Sequence, residues 1–502
     1  MKKYKTIDKS LLTLSCIFLL GPILLLLLFW FKWYISFSSI ILLLFSTVFV
    51  LKNIKPLKEE EYKNIFNLKK IIIISVLIIL LNILSGAGGL FHQNWDYHFR
   101  NAVFHDLIEK EWPVKYDYSS LPYEREKIGD KGILSYYFAF WLPSAAVGKL
   151  TDNFYIASYC LLVYQIVGSL LFFYLVSRYF KNTKLRYFFI FLAFSGLNTI
   201  GQFLMNIVYD IDIELIGTAH IDTSMVSFCM SSFVTQLFWV FNQSVPAWIA
   251  TMFLFQEKDY KTCGYFFALL LPFAPFPMLG YLYIAFSFII FGKELDKKIT
   301  LERIKELLTF RNIAAVLAIV PIAFMFLQSN IKKGFVFLDA YNNGTLTNSL
   351  INYILYLILE FGIYIIIANK KNYKHIIMYF IFFAVVPLFN IGGADLGNRS
   401  TIPLLVGLYL LIVETLDTTI LKKIKQKEVV LILVLAIAFL TNFNEIYRSI
   451  RFTIKNHEIN IENFSDNYKT YGHFEGMESE PFISNFVSTY DKDDFYFKYF
   501  IK

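Results

Sequence analysis

HQNWDYHFRNAVFHDLIEKEWP, residues 92–113, is the stretch on which the reading of this chain turns. It leaves a long apolar run, Ile71–Leu90, and opens a polar segment of roughly forty residues that bilayer physics places in water. Asp96, His98, Arg100 and His105 stand within a few positions of that exit, in a chain otherwise dominated by Leu, Ile and Phe. Chemistry in this protein is expected here first.

Helical phase arranges the stretch. If 94–110 is a helix, Asp96 and Arg100 share one face at i, i+4 spacing, with His105 and Glu109 paired the same way on another. His98 falls on a different phase. A carboxylate at a membrane boundary, between Trp95 and Tyr97, suits a general base. It suits a helix N-cap equally well, with the histidines as interfacial anchors.

Working outward, composition sets the class. The chain is 57% hydrophobic and 17% charged, with a mean hydropathy of +0.53. Soluble domains run at about 25% charged, so the expectation is an all-α polytopic membrane protein. The net charge of +8 does not point to nucleic acid, because the lysines sit in short loops between apolar runs. Cys16, Cys160, Cys229 and Cys263 lie in or beside apolar segments without a CxxC pair, as buried structural thiols do. A basic start, Lys2 to Lys9, precedes an apolar run with no A-x-A cleavage site, so 11–31 is expected to be an uncleaved first helix.

Apolar runs able to span, or to half-span in a hairpin, fall at 11–31, 34–51, 71–89, 154–177, 185–203, 233–256, 262–274, 278–291, 312–329, 350–368, 376–391, 400–418 and 428–441. That makes about thirteen transmembrane helices. Placing the N-terminus and the segments 52–70, 178–186, 257–261, 293–311, 369–375 and 419–427 in the cytoplasm puts well over half of the 47 Lys+Arg on that side. The positive-inside rule is then obeyed throughout, with the C-terminus outside. Leu134–Val147 (LSYYFAFWLPSAAV) is short, aromatic and broken by Pro143, and counting it as a span would put Arg178, Lys181, Lys184 and Arg186 outside. It is expected to be an interfacial helix in the first large outer loop, 90–153, with a re-entrant segment as the alternative. Residues 1–441 form the membrane domain, and 442–502 a short extracytoplasmic tail packed upon it.

Two further outer segments carry candidates. The loop 204–232 holds Asp210, Asp212, Glu214, His220 and Asp222 and no Lys or Arg. Its D-x-D-x-E is an oxygen cluster of the kind a divalent cation such as Mg²⁺ or Mn²⁺ accepts, and equally a solvated acidic loop. The turn 392–399, GGADLGNR, places Arg399 beside Asp395 at the start of an apolar helix. Guanidinium and free backbone N–H groups there suit a phosphate, while a snorkelling arginine is the plainer account. Phe241–Trp248 (FNQSVPAW) sets Asn242, Gln243 and Ser244 in an apolar run, against protein or a polar cavity. Leu271–Gly280 (LPFAPFPMLG) reads as a tight hairpin between two short helices. The chain has no HExxH, zinc pattern, P-loop or GxGxxG.

This order of helix, acidic outer loop, interfacial helix and later proline-marked hairpin resembles the GT-C superfamily of polytopic glycosyltransferases. That superfamily includes protein mannosyltransferases, aminoarabinose transferases and oligosaccharyltransferases. NWDYHFRNAVFHDLIEKEWPV, SYYFAFWLPSAAVGKL, FNQSVPAWIA and ADLGNRSTIPLL resemble segments of bacterial GT-C-like membrane proteins, over most of 71–420. The resemblance implies Asp96, with His98 and Arg100 around it, as the first-loop acid acting as base or metal ligand. It implies Arg399, with Asp395, as the holder of the donor phosphate. The chain departs from the plan in carrying two helices before residue 71 and in lacking a paired acidic dipeptide at Asp96.

The expected function is transfer of a sugar from a polyprenyl-phosphate donor to a surface glycan, lipid or protein, at the outer face of a bacterial cytoplasmic membrane. A transporter or flippase of lipid-linked glycans would account for Asn242, Gln243 and Glu360 inside apolar runs, but the chain shows no repeated halves. A polymerase of such glycans would call for arginines in the second loop, and there are none.

Overall fold

A computed structural model describes residues 2–209, 217, 220–223, 228–256, 260–292, 301–328, 346–364, 373–389, 395–419, 426–456 and 483–502. These residues are mostly helical. Seven helices are long and apolar enough to cross a membrane, or eight if the bent pair Glu59–Ile65 and Leu68–Leu84 is one span. Their outward faces are apolar, with Phe37, Ile41, Val48, Ile72 and Val76 exposed, as a lipid-facing surface requires.

Breaks separate this count from the thirteen apolar runs of the sequence. The run 185–203 remains one of the seven, as Leu185–Ile207, although it holds two helices, Leu185–Ala193 and Asn198–Tyr209, around a non-helical Phe194–Leu197. The run 233–256 is Phe233–Trp239 followed by Phe241–Gln256. The run 262–274 holds only Cys263–Leu270, eight residues long. At 1.5 Å per residue such a helix reaches about 12 Å, well short of the ~30 Å hydrocarbon core. The proline-rich turn after it does start a new helix, Pro275–Phe291, with proline in its first turn.

Basic segments gather at one end of the bundle. Arg178, buried, forms an ion pair with Asp8 (Nε to Oδ1, 3.1 Å) and donates to the Lys55 carbonyl and to Gln256 Oε1. Lys184 and Arg186 both meet Asp417. The N-terminal helix and the segments around 55, 178–186, 256 and 417 therefore share an end.

The opposite end carries the loops. Residues 115–134 and the segment after 483 build a three-stranded antiparallel sheet, ordered β1 (Lys115–Asp117), β2 (Lys131–Leu134), β3 (Val487–Thr489). Tyr116 pairs with Gly132, and Ile133 with Ser488. Gly132 has to lack a side chain, since a Cβ there would lie 2.6 Å from Val487 and 2.8 Å from Tyr118. Leu134 thus ends a strand, and the expected helix begins only at Leu142, running to Thr151 with Pro143 in its first turn. The residues between, Ser135, Tyr136 and Phe138–Trp141, are buried against the bundle. Beyond the sheet, the Lys32 and Lys502 amides bond the carbonyls of Phe500 and Trp30, closing the tail over the turn between the first two helices. The helix Gln426–Asn456 runs unbroken through 441, so the expected boundary between membrane domain and tail lies inside a helix.

Candidate functional site

The helix Tyr97–Glu109 places the first candidates. Asp96 holds its N-cap position, yet its side chain makes no capping bond. It turns instead to Arg100, one helical turn on, at 2.7 Å from Oδ2 to Nη2. The i, i+4 expectation holds for both pairs, with His105 Nε2 3.2 Å from Glu109. His98 follows on a different phase, half-buried. Asn94 ties the start of this helix to the bundle, its amide donating to the Phe238 carbonyl at 2.9 Å. Arg100 is buried, with its guanidinium 5.5 Å from the ring centre of Tyr97 and 5.7 Å from that of Phe241. Its Nη1, fully enclosed, makes no hydrogen bond among the described residues.

Asp395 and Arg399 come to the same place from the far part of the chain. Arg399 lies 2.8 Å from Asp395 across a single turn, an ion pair without hydrogen-bond alignment at its Nε. Both belong to a six-residue helix, Asp395–Ser400, with Arg399 in its last turn. Arg399 closes that short helix three residues before the long helix Ile402–Thr419 begins, and the two form one apolar span, Asp395–Asp417, with Arg399 near its start. The surroundings of its guanidinium are charged: Asp96, Tyr136 and Tyr137 act on Arg399 electrostatically, and Asp96 and Arg100 act on Asp395. Two acids, two arginines and two phenols thus form one electrostatic unit. Tyr136 and Tyr137 lie 3.7 Å apart between ring centres, tilted by 34°, and burial pushes both phenols above their ordinary range. They stay protonated at neutral pH, as hydrogen-bond donors.

The second loop supplies a neighbouring cluster. His220 Nδ1 lies 2.8 Å from Glu445 Oε1, which also receives Arg448 at 2.8 Å, while Trp239 Nε1 donates to Oε2 at 2.9 Å. Asp222, buried, accepts from Asn198 and from the Ser232 amide, each at 3.1 Å. Between the clusters, the Ser231 amide donates to Asn398 at 3.1 Å. The charges of Asp222, Glu360, Asp395 and Arg399 all act on Cys229.

The structure thus brings Asp96, Arg100, Asp395 and Arg399 together and sets His220 beside them, on Glu445. Asp210, Asp212 and Glu214 lie outside the described residues. Among those described, no three His, Cys, Asp or Glu side chains form a group that could hold a metal ion. Glu445, Arg448, Trp239 and the tyrosine pair were not singled out from the sequence. An acid and a base at i, i+3 near the end of an apolar helix, Glu445 and Arg448, were the available signal.

Comparison with protein-family models, with curated proteins and with solved structures finds no match to this chain.

Proposed function

We propose that this chain is a polytopic membrane glycosyltransferase of GT-C type, of about thirteen membrane-crossing or half-crossing helices. It would take a sugar from a polyprenyl-phosphate donor and pass it to a glycan, lipid or protein acceptor at the outer face of a bacterial cytoplasmic membrane. The N-terminus is cytoplasmic in this reading. One observation carries it: two arginine–carboxylate pairs from distant parts of the chain lie within electrostatic reach of each other, and one guanidinium nitrogen, Arg100 Nη1, is enclosed without a partner among the described residues. An enclosed N–H donor left unmade is costly, and a phosphate oxygen is the acceptor that Arg geometry fits best.

The chemistry follows from the arrangement. The acceptor oxygen bonds to the anomeric carbon as its proton passes to the Asp96 carboxylate. The bond from that carbon to the phosphate oxygen breaks, and its electrons leave on the polyprenyl phosphate. Arg100 and Arg399 stabilise that departing charge. The Asp96 side chain, a quarter exposed, is open to an acceptor in a way that buried Arg100 is not. Tyr136 and Tyr137, held protonated, are donors for sugar hydroxyls.

The test is complementation of a deletion strain by wild type or Asp96→Asn, read as envelope glycan composition by mass spectrometry. Membrane yield and a monodisperse purified variant serve as the check on folding. The reading requires one defined sugar to be lost on deletion, restored by wild type and not by Asp96→Asn. Full restoration by the variant overturns it.

A further inference from the structure

A second feature lies inside the bundle and is independent of sugar transfer. The break Phe194–Leu197 between the two helices of the run 185–203 is met by a π-helical turn, Leu357–Gly362. Leu197 N–H donates to the Leu359 carbonyl at 3.0 Å, and the Tyr364 hydroxyl donates to the Ser195 carbonyl. The wider turn sets Glu360 directly into the break. Its carboxylate lies so close to Gly196 that an added Cβ would stand 1.7 Å from Oε2. Only a glycine leaves room for it.

Glu360 is wholly buried, and neither carboxylate oxygen has an aligned hydrogen bond among the described residues. Asn198 lies beside it, but its amide nitrogen is directed at Asp222. The buried hydroxyl of Ser195 likewise lacks an aligned bond among the described residues. Among the described residues, the ionisable groups acting on Glu360 are Asp222 and Cys229 from the second loop, with Tyr356 and Tyr364 on its own element. None of them is a cation. The packed helix Tyr373–Val385 carries Lys374 and His375, which turn instead to the Phe291 ring and the Gly292 carbonyl.

Among the described residues an ionised carboxylate so placed meets no counter-charge and, as a neighbouring donor, the Asn198 amide, and its cost in an apolar interior is several kcal/mol or more. A hydrophobic side chain of similar size would pack there without that cost. Broken helices, π-turns and lone intramembrane carboxyls are each features of ion and proton sites. We propose that Glu360, lodged in the break at Gly196, binds an exchangeable monovalent cation, a proton or a sodium ion. The carboxylate supplies the charge, and the Ser195 and Asn198 oxygens are the neutral ligands nearest in the chain.

The test is reaction of the purified full-length protein with N,N′-dicyclohexylcarbodiimide, which adds to a protonated carboxyl and leaves it as an N-acylurea. The modified peptide is mapped by mass spectrometry. Labelling is expected at Glu360 and is lost in Glu360→Gln. Its rate is expected to fall about tenfold per pH unit above a midpoint, as exchange with bulk protons demands. Protection by sodium chloride but not choline chloride identifies a sodium site, and labelling indifferent to sodium identifies a proton site. No labelling of wild-type Glu360 between about pH 5 and about pH 9 overturns the proposal. So does labelling that varies with neither pH nor sodium, the mark of a permanently protonated packing group.

Discussion

His220 and Glu445, 225 residues apart in sequence, meet at 2.8 Å and tie the second loop to the last long helix. Burial alone would favour a neutral imidazole, but the charge and hydrogen bond of Glu445 outweigh it and lift His220 above its ordinary pKa. Burial likewise pushes Asp222 up to about 6. Both groups bind a proton more tightly folded than unfolded. Their stabilisation is therefore complete below the unfolded pKa and is lost as pH rises through the folded one. For Asp222 that window runs from 3.8 to about 6, and for His220 it starts at 6.5 and extends upward. The melting temperature of the purified protein should fall as pH rises from about 4 to about 8. His220→Gln should flatten the upper part of the profile and Asp222→Asn the lower. An unchanged slope in both variants would show that the latch does not respond to protons.

Arg100 sits over the rings of Tyr97 and Phe241 while one arm binds Asp96. Lysine keeps the charge but loses the planar fork. Arg100→Lys is expected to lower sugar transfer by about a hundredfold, the scale of a lost transition-state donor. The membrane fraction should stay unchanged. Transfer at the wild-type rate, measured with a labelled lipid-phosphate sugar, would remove Arg100 from the phosphate site.

Gly196→Ala puts a methyl group where the Glu360 carboxylate lies. Overpacking of this kind costs about 1–3 kcal/mol. Glu360→Ala in the same chain should relieve most of it, so the double variant is more stable than the two single losses added together. Thermal unfolding of the four proteins reads the coupling, and strict additivity would mean that the two residues do not touch.

Val487 is buried where β3 meets β2, opposite Leu134 and over Gly132. Val487→Asp should open the sheet locally and leave Arg125, Lys127 and Lys131 within reach of trypsin. Loss of about 1.4 kcal/mol of local stability raises cleavage about tenfold when opening precedes cutting. Cleavage at the wild-type rate would show that the loop keeps its shape without the third strand.

Local chemistry was readable and long-range chemistry was not. Asp96 with Arg100 and His105 with Glu109 follow from helical period alone, because one turn of backbone fixes the distance. The approach of Asp96 to within electrostatic reach of Arg399, and the meeting of His220 with Glu445, depend on how distant helices pack, which spacing in the chain does not encode. Apolar runs marked where helices lie but hid their breaks. Phe194 and Leu197 are as apolar as the helices they separate, and the Ser195–Gly196 pair between them, a turn signal, is too short to interrupt the run by composition. Residues 131–134, KGIL, are too short to read as a strand until Val487–Thr489 is set beside them.

The sheet also orders events during synthesis. Ser135 bonds the Phe486 carbonyl across 351 residues of sequence, so β2 emerges from the ribosome long before β3 exists. At about 5–20 residues per second, that gap lasts tens of seconds. Through that interval β2 has an open edge beside the half-built site. Asp96 and Arg100 therefore wait on late-made segments, first for Arg399 and then for β3, and a chain released before residue 487 carries the ion pairs without the strand that closes their loop.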